Sequence, residues 1–172
     1  SYLLGGRGLL REVSVALQRQ EAAEAQARAR QAMETLRAEL FNAPGSPVAG
    51  NPRGDVTVVE FFDLRCSYCK RAAPELEAVL KADPNVRIVY KQLPILGPDS
   101  LVAARASLAA HAQGRYEAFH KALFALDHVD EKTVFNTASA LGLDMDRLRT
   151  DMASDAVTRE IERCAVRGFR GI

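Results

Sequence analysis

A chain of 172 residues is long enough for one domain with a hydrophobic core plus an appendage. With 48% hydrophobic and 26% charged residues the composition is that of a globular protein, and a formal net charge of +1 leaves no global basic field to attract nucleic acid. No apolar run approaches the ~18 residues a membrane span needs, and three cysteines are too few for a disulfide scaffold. The chain begins Ser1-Tyr2 with no charged or apolar leader, so any signal peptide is expected to have been removed or never present.

Residues 9–41 read as one long helix, dominated by Glu, Gln, Arg and Ala, with neither Gly nor Pro between Leu9 and Phe41. Leu10, Val13 and Leu17, then Met33, Leu36 and Leu40, recur at three-to-four spacing, while Gln20, Glu24, Ala27 and Gln31 carry the stripe through the middle. A stripe apolar only at its two ends makes a poor core helix. We therefore expect segment 1–42 to be a stalk for self-association rather than a helix laid on its own domain. Residues 43–54 hold three prolines and three glycines and read as a linker.

A second domain, 55–172, opens with the β-forming run Val56–Phe62, followed by a helical run from about Ser67 to Ala82. Asp83-Pro84-Asn85 makes a turn, and Val86–Gln92 reads as a second strand. Strand, helix and strand of these lengths form a βαβ unit, so the two strands should be parallel. Five helices are then expected at 99–113, 115–126, 131–142, 144–152 and 154–167. Gly114 and Gly142 punctuate them, Asp130 and Asp144 are the N-caps, and Pro98 stands before the first.

Cys66-Ser67-Tyr68-Cys69 lies at the strand-to-helix junction. Two thiols two residues apart there can close and open a disulfide with little backbone motion. The first sulfur would sit at a helix N-terminus, where free N–H groups and the helix dipole favour the anion, and the thiolate is the reactive form of cysteine. The pattern points to dithiol redox chemistry. Zinc is the chemical rival, but a closed site wants four Cys or His ligands, and only Cys164 and three scattered histidines remain. Two thiolates can bind copper(I), so a copper- or zinc-binding protein stays an alternative, as does a non-catalytic oligomeric fragment.

The run Phe61-Phe62-Asp63-Leu64-Arg65-Cys66-Ser67-Tyr68-Cys69-Lys70-Arg71-Ala72-Ala73-Pro74 resembles the active-site segment of the DsbA-like branch of the thioredoxin superfamily. Pro94–Ser100 and Ala109–His120 are similar to that family's helical insertion. The N-terminal helix and the Gly50–Asp55 lead-in look most like the suppressor-of-copper-sensitivity protein C group, whose N-terminal helix can drive oligomerisation. The resemblance implies an α/β, thioredoxin-like fold with a helical insertion behind a long N-terminal helix. It implies a periplasmic thiol:disulfide oxidoreductase, in an oligomer a disulfide isomerase, acting on cysteine-containing proteins. No cofactor and no metal are required, since electrons move through the thiols. A membrane redox partner, self-association through the N-terminal helix and a link to copper tolerance are implied as well. In the family a Gly-x-x-Gly-Thr-Pro stretch leads to a cis-proline facing the CxxC. Here Gly168–Gly171 fits the lead-in with Ile172 at the Thr position, so the C-terminal hairpin is expected to be missing from a truncated chain.

Under this reading Cys66 is the nucleophile and Cys69 the resolving thiol, with Ser67 and Tyr68 tuning the first sulfur through their N–H and hydroxyl groups. Glu60 is an unusual acid in an apolar strand. The resemblance places it beneath the CxxC, where it could shuttle the buried thiol's proton with a raised pKa; facing solvent instead, it would leave Val59 and Phe61 on the core side. Pro74 matches the family's kinking proline and should bend the active-site helix. Asp63 reads as a loop or cap residue and Cys164 as a half-buried helix cysteine. His111, His120 and His128 read as packing or surface residues, and Tyr116, Phe119, Leu123 and Phe124 as core of the insertion. The charges of Arg147, Arg149 and the 159–170 segment read as solvated faces.

Overall fold

A computed structural model describes residues 5–170, with the side chains of 5–10, 35, 38 and 166–170 outside that description. The chain divides into two compact units, Ser1–Glu39 and Leu40–Ile172. Helix α1 (Gly5–Asn42) accounts for the described part of the first unit and extends into the second. Its helical course follows from a sequence without breakers after Gly8. The described side chains from Arg11 to Glu34 are exposed, Val13, Leu17 and Met33 among them at 48–54%. Gln20 donates to Glu24 one turn on, and Glu24 pairs with Arg28. Leu10 of the predicted stripe lies outside the described side chains.

The second unit is built on β1 (Val48–Gly50), β2 (Val56–Phe62) and β3 (Val86–Gln92), in the order β1-β3-β2. β2 and β3 are parallel, Val56 opposite Val86 through Phe62 opposite Gln92, with α2 (Ser67–Ala82) as the crossover. β1 corrects the linker reading. Val48, Ala49 and Gly50 pair antiparallel with Val89, Ile88 and Arg87, and the Pro47 carbonyl accepts from the Tyr90 N–H. Breaker content hid the strand, but the breakers only frame it. Pro47 precedes it, and Gly50 ends it at φ +79°, a left-handed turn into Asn51-Pro52. β3 is thus the central strand, and its residues are almost all buried.

Helices α3 (Pro98–Ala112), α4 (Tyr116–Ala125), α5 (Glu131–Ala140), α6 (Met145–Met152) and α7 (Asp155–Arg170) follow, close to their expected limits. Asp130 caps α5 through the Thr133 N–H, and Asp144 caps α6 through the N–H groups of Asp146 and Arg147. Phe62, Leu64 and Ile88 join Ala103, Ala106, Tyr116, Phe119, Leu123, Val134 and Leu148 in one core, so the insertion packs on the sheet as part of the same hydrophobic body. α7 runs through Gly168–Arg170, three residues past its expected end at 167. An Arg-rich run with no proline keeps the ladder going at the roughly 1 kcal/mol a helical Gly costs. Gly171 and Ile172 lie outside the described residues.

The solvated-face reading of 159–170 also needs correction. Glu160 on α7 is 3% exposed and meets the Lys91 ammonium of β3 at 3.5 Å. Ser46 Oγ donates to Glu160 at 2.5 Å and accepts from Lys91 Nζ at 2.6 Å, and Arg163 closes the group by pairing with Glu160. Alternation of charge signs along α7 suggested solvent. What decides burial is the helix face, and Val157, Glu160, Ile161 and Cys164 share the inward one.

Candidate active site

β2 ends at Phe62, and the chain turns through Asp63, Leu64 and Arg65 before α2 begins. Cys66 is the N-cap of α2, with extended backbone (φ −77°, ψ 117°). An N-cap side chain normally accepts from the N–H two or three residues on. Here the acceptor is sulfur, and the Cys69 N–H points at Cys66 Sγ from 3.5 Å. The helix termination that gives Ser, Asp and Asn their capping role is thus spent on stabilising a thiolate.

The two thiols are shifted in opposite directions. Partial burial raises the pKa of Cys66, but the Cys69 N–H, the Cys69 thiol and the Tyr68 N–H outweigh it, and the net shift is downward despite the opposing charge of Asp63. Burial pushes Cys69 up to about 11. The Asp63 backbone opposes the rise, and the Cys66 sulfur and the Glu60 carboxyl reinforce it. Both are free thiols, half-buried, while the Tyr68 ring between them is 75% exposed and carries the Arg71 guanidinium over its face at 4.4 Å. Ser67 is the first residue of α2. The hydrogen bonds that act on Cys66 come from Cys69 and Tyr68, so of the two residues expected to tune that sulfur it is the Tyr68 N–H that reaches it.

Glu60 shares a face of β2 with Val58 and Phe62, the face that packs against the core, and Val59 and Phe61 take the other. It lines a cleft of about 210 Å³ with Ala73, Leu76 and Leu80 of α2, Tyr90 of β3, and Tyr116 and His120 of α4. Desolvation there lifts its pKa to about 7. It is near enough to Cys69, Tyr90 and Tyr116 for its charge to raise the pKa of all three. Pro74 lies inside α2, without an N–H to give the Lys70 carbonyl. Lys70 itself reaches over to donate to the Leu126 carbonyl at 2.6 Å.

The histidines do not gather at the thiols. His120 is buried among Phe62, Tyr90, Tyr116 and Phe124 with its pKa pushed down to about 4 by desolvation, and His128 pairs with Asp130 at the surface. Cys164 is 2% exposed, and burial raises its pKa to about 12, which leaves an inert thiol. Among the described residues there is no group of three or more His, Cys, Asp or Glu side chains placed to hold a metal.

Sequence reading underestimated Asp63. It is 4% exposed and accepts four hydrogen bonds, from the N–H groups of Arg65, Ile95 and Leu96 and from the Ser100 hydroxyl. Three of its four partners lie 32–37 residues away, beyond the reach of a local motif.

The DSBA-like thioredoxin domain family matches residues 57–165, the whole span from β2 through most of α7. The chain belongs to that family. Among solved structures, a thioredoxin-like oxidoreductase from Silicibacter pomeroyi DSS-3 shares 50% identity with this DsbA-like chain at a TM-score of 0.75, with 77% of each chain covered. ScsC from Proteus mirabilis, in a transitional conformation, is 26% identical at a TM-score of 0.73 over 98% of this chain and 76% of its own. Among curated proteins, the Na(+)/H(+) antiporter NhaA 3 of Salinispora tropica is 37% identical over 111 residues, which make up 62% of this chain and 17% of the antiporter. The antiporter NhaA of Herminiimonas arsenicoxydans is 34% identical over 132 residues, 72% of this chain and 21% of its own length. The chain thus spans about a fifth of the length of these curated relatives.

Proposed function

We propose that this DsbA-like domain is a protein thiol:disulfide oxidoreductase working through Cys66 and Cys69. The observation that carries the reading is the asymmetry of the pair: one sulfur capped by a helix N-terminus and shifted toward thiolate, the other held as thiol at a pKa of about 11. Family membership and the oxidoreductase neighbour support it.

The Cys66 thiolate attacks one sulfur of a substrate disulfide. A Cys66–substrate bond forms, the substrate S–S bond breaks, and the other substrate sulfur leaves as thiolate. Cys69 then gives up its proton and attacks Cys66 Sγ. This releases the second substrate sulfur and leaves a Cys66–Cys69 disulfide, so two electrons have passed to the substrate. Run backward, the same steps oxidise a substrate dithiol. Glu60, titrating near neutrality beside Cys69, takes the proton in one direction and returns it in the other. The Tyr68 N–H sets the Cys66 environment and Pro74 shapes the helix behind it.

The substrates are cysteine-containing proteins of an oxidising compartment, the periplasm, with a membrane-bound partner resetting the dithiol. Exposed apolar residues along α1 support self-association through that helix, which would place several dithiols around one substrate and favour isomerisation. Replacing Cys69 by Ala tests the core of the reading. A disulfide-linked complex with a protein substrate should accumulate through Cys66 and disappear in Cys66→Ala. A Cys69→Ala chain that traps nothing refutes it. Reactivation of a scrambled multi-disulfide protein by wild type, but not by Cys66→Ala, tests isomerisation.

A further inference from the structure

We propose that Asp63 is a positioning residue that sets the redox balance of the dithiol: it pins the turn that carries Cys66 and keeps a buried negative charge beside that sulfur, which makes the pair a weaker oxidant. The proposal deepens the oxidoreductase reading of the dithiol and rests on it.

Asp63 holds the turn through its backbone and its side chain together. Its carbonyl accepts from the Cys66 N–H at 3.0 Å, and its backbone also reaches the Cys69 sulfur, where it opposes the rise of that thiol. Oδ1 accepts from the Arg65 N–H at 2.8 Å and the Ser100 hydroxyl at 2.9 Å. Oδ2 accepts from the N–H groups of Ile95 at 2.9 Å and Leu96 at 3.0 Å. A backbone N–H can only donate, so both carboxyl oxygens serve as acceptors, as they do in the ionised form. The group is an anion shut off from water three residues before the nucleophile, and burial spares its field from solvent screening.

The neighbouring cations are engaged elsewhere. Arg65 donates to the Leu96 carbonyl at 2.9 Å and faces Asp99 at 3.8 Å, Lys70 donates to the Leu126 carbonyl, and the Arg71 guanidinium lies over the Tyr68 ring. Of the carboxylates, Asp63 opposes the Cys66 thiolate, whereas Glu60 acts on Cys69. Cys66 bears a negative charge in the reduced protein and none in the disulfide. A neighbouring anion therefore raises the free energy of the reduced form alone, which favours the Cys66–Cys69 disulfide and lowers the reduction potential. The helix N-terminus that caps Cys66 works in the other direction. Asp63 offsets part of that cap, and the pair gives electrons to a substrate disulfide more readily than the cap alone would allow.

The full chain is equilibrated with graded ratios of reduced to oxidised glutathione, and the fraction of Cys66–Cys69 disulfide is read by mass after acid quench and alkylation. One oxidised glutathione takes two electrons and two protons from the dithiol and leaves as two reduced glutathiones. The measurement is made at pH 9, where Cys66, shifted below the ordinary thiol value of 9.0, is mostly thiolate. Asp63→Asn removes the charge and keeps the shape. We expect its Cys66 pKa, followed by thiolate absorbance, to fall, and its equilibrium constant for oxidation to drop roughly three- to tenfold, about 15–30 mV of potential gained for a two-electron couple. Ser100→Ala keeps the charge but removes a donor that damps it, so the Cys66 pKa should rise and the constant should increase by roughly twofold. That variant carries the test if Asp63→Asn does not fold. A turn that is merely loosened moves both variants in the same direction; that result, or an unmoved pKa and potential in the variants that fold, overturns the role of Asp63. A wild type that forms no Cys66–Cys69 disulfide at any glutathione ratio overturns the oxidoreductase reading itself.

Discussion

Glu60→Gln should stabilise the fold at alkaline pH and leave it unchanged in acid. The folded protein holds the Glu60 proton up to about pH 7, whereas the unfolded chain releases it near 4.5. Between those values the folded state binds more protons than the unfolded one, so stability falls as pH rises and is constant above about 7. At about 1.36 kcal/mol for each tenfold difference in proton affinity, the interval sets a ceiling of roughly 3.4 kcal/mol. The cleft is open to water and screens the charge, which brings the expected penalty to about 1–2 kcal/mol. Glutamine has the same shape and no charge to desolvate, so it removes the penalty. The assay is urea unfolding of reduced wild type and Glu60→Gln at pH 4, 6 and 8, with the midpoint and the slope m followed separately. The stability difference should grow from near zero at pH 4 to about 1–2 kcal/mol at pH 8, a gain of roughly 2–8 °C in melting temperature for a chain of this size. A difference that does not vary with pH would show that Glu60 is not desolvated in the fold, and the argument for its role beside Cys69 would fall with it.

The three cysteines should separate under alkylation of the reduced protein by iodoacetamide at pH 7. Cys66 reacts first, and Cys69 and Cys164, at about 11 and 12, lag by orders of magnitude in a peptide-mapping time course. Breaking the buried group on α7 by Lys91→Met leaves Glu160 without its ammonium and should cost about 3–5 kcal/mol in urea unfolding, while Lys91→Met with Glu160→Leu should recover part of the loss. Gly50→Ala should cost about 1–3 kcal/mol, because its Cβ would come within 2.6 Å of the Val86 carbonyl and 2.5 Å of Leu80 at a φ of +79°. Leu17→Glu with Met33→Glu should reduce the mass measured by light scattering if α1 carries self-association; an unchanged mass removes that part of the proposal.

Elements whose signal is local were legible in the sequence. Val56–Phe62, Ser67–Ala82 and Val86–Gln92 fall where the run of β-branched residues, the helix formers and the Asp83-Pro84-Asn85 turn place them. Asp130 and Asp144 cap their helices because a cap is decided within three residues. What sequence reading missed depends on distant partners. β1 is three residues long and exists because β3 offers a free edge, which no local pattern in Pro44–Gly54 reports. Glu160 is buried because Lys91, 69 positions earlier on β3, meets it across the fold. Asp63 looked like an ordinary loop residue because three of its four donors lie at 95, 96 and 100. For Glu60 the alternation of strand residues left two faces open, and only the packing of Val58 and Phe62 on the core chose between them.

In the proposed mechanism, the separation of the two thiols poses a problem that Glu60 is placed to answer. At pH 7 a thiol with a pKa of about 11 is thiolate roughly one time in ten thousand, too seldom to resolve a mixed disulfide quickly. Part of that high value comes from the neighbouring Cys66 sulfur. Once Cys66 is bound to a substrate its negative charge is gone, and Cys69 becomes easier to ionise at the moment its attack is needed. Its proton still needs an acceptor. Glu60 titrates at about 7, so near neutrality a large share of molecules has it ready to accept. Its own charge raises Cys69, so accepting the proton also removes a repulsion that would otherwise oppose the new thiolate. Glu60→Gln should therefore slow resolution of the mixed disulfide while sparing the first attack by Cys66. Single-turnover trapping that finds both steps slowed equally would place the proton transfer elsewhere.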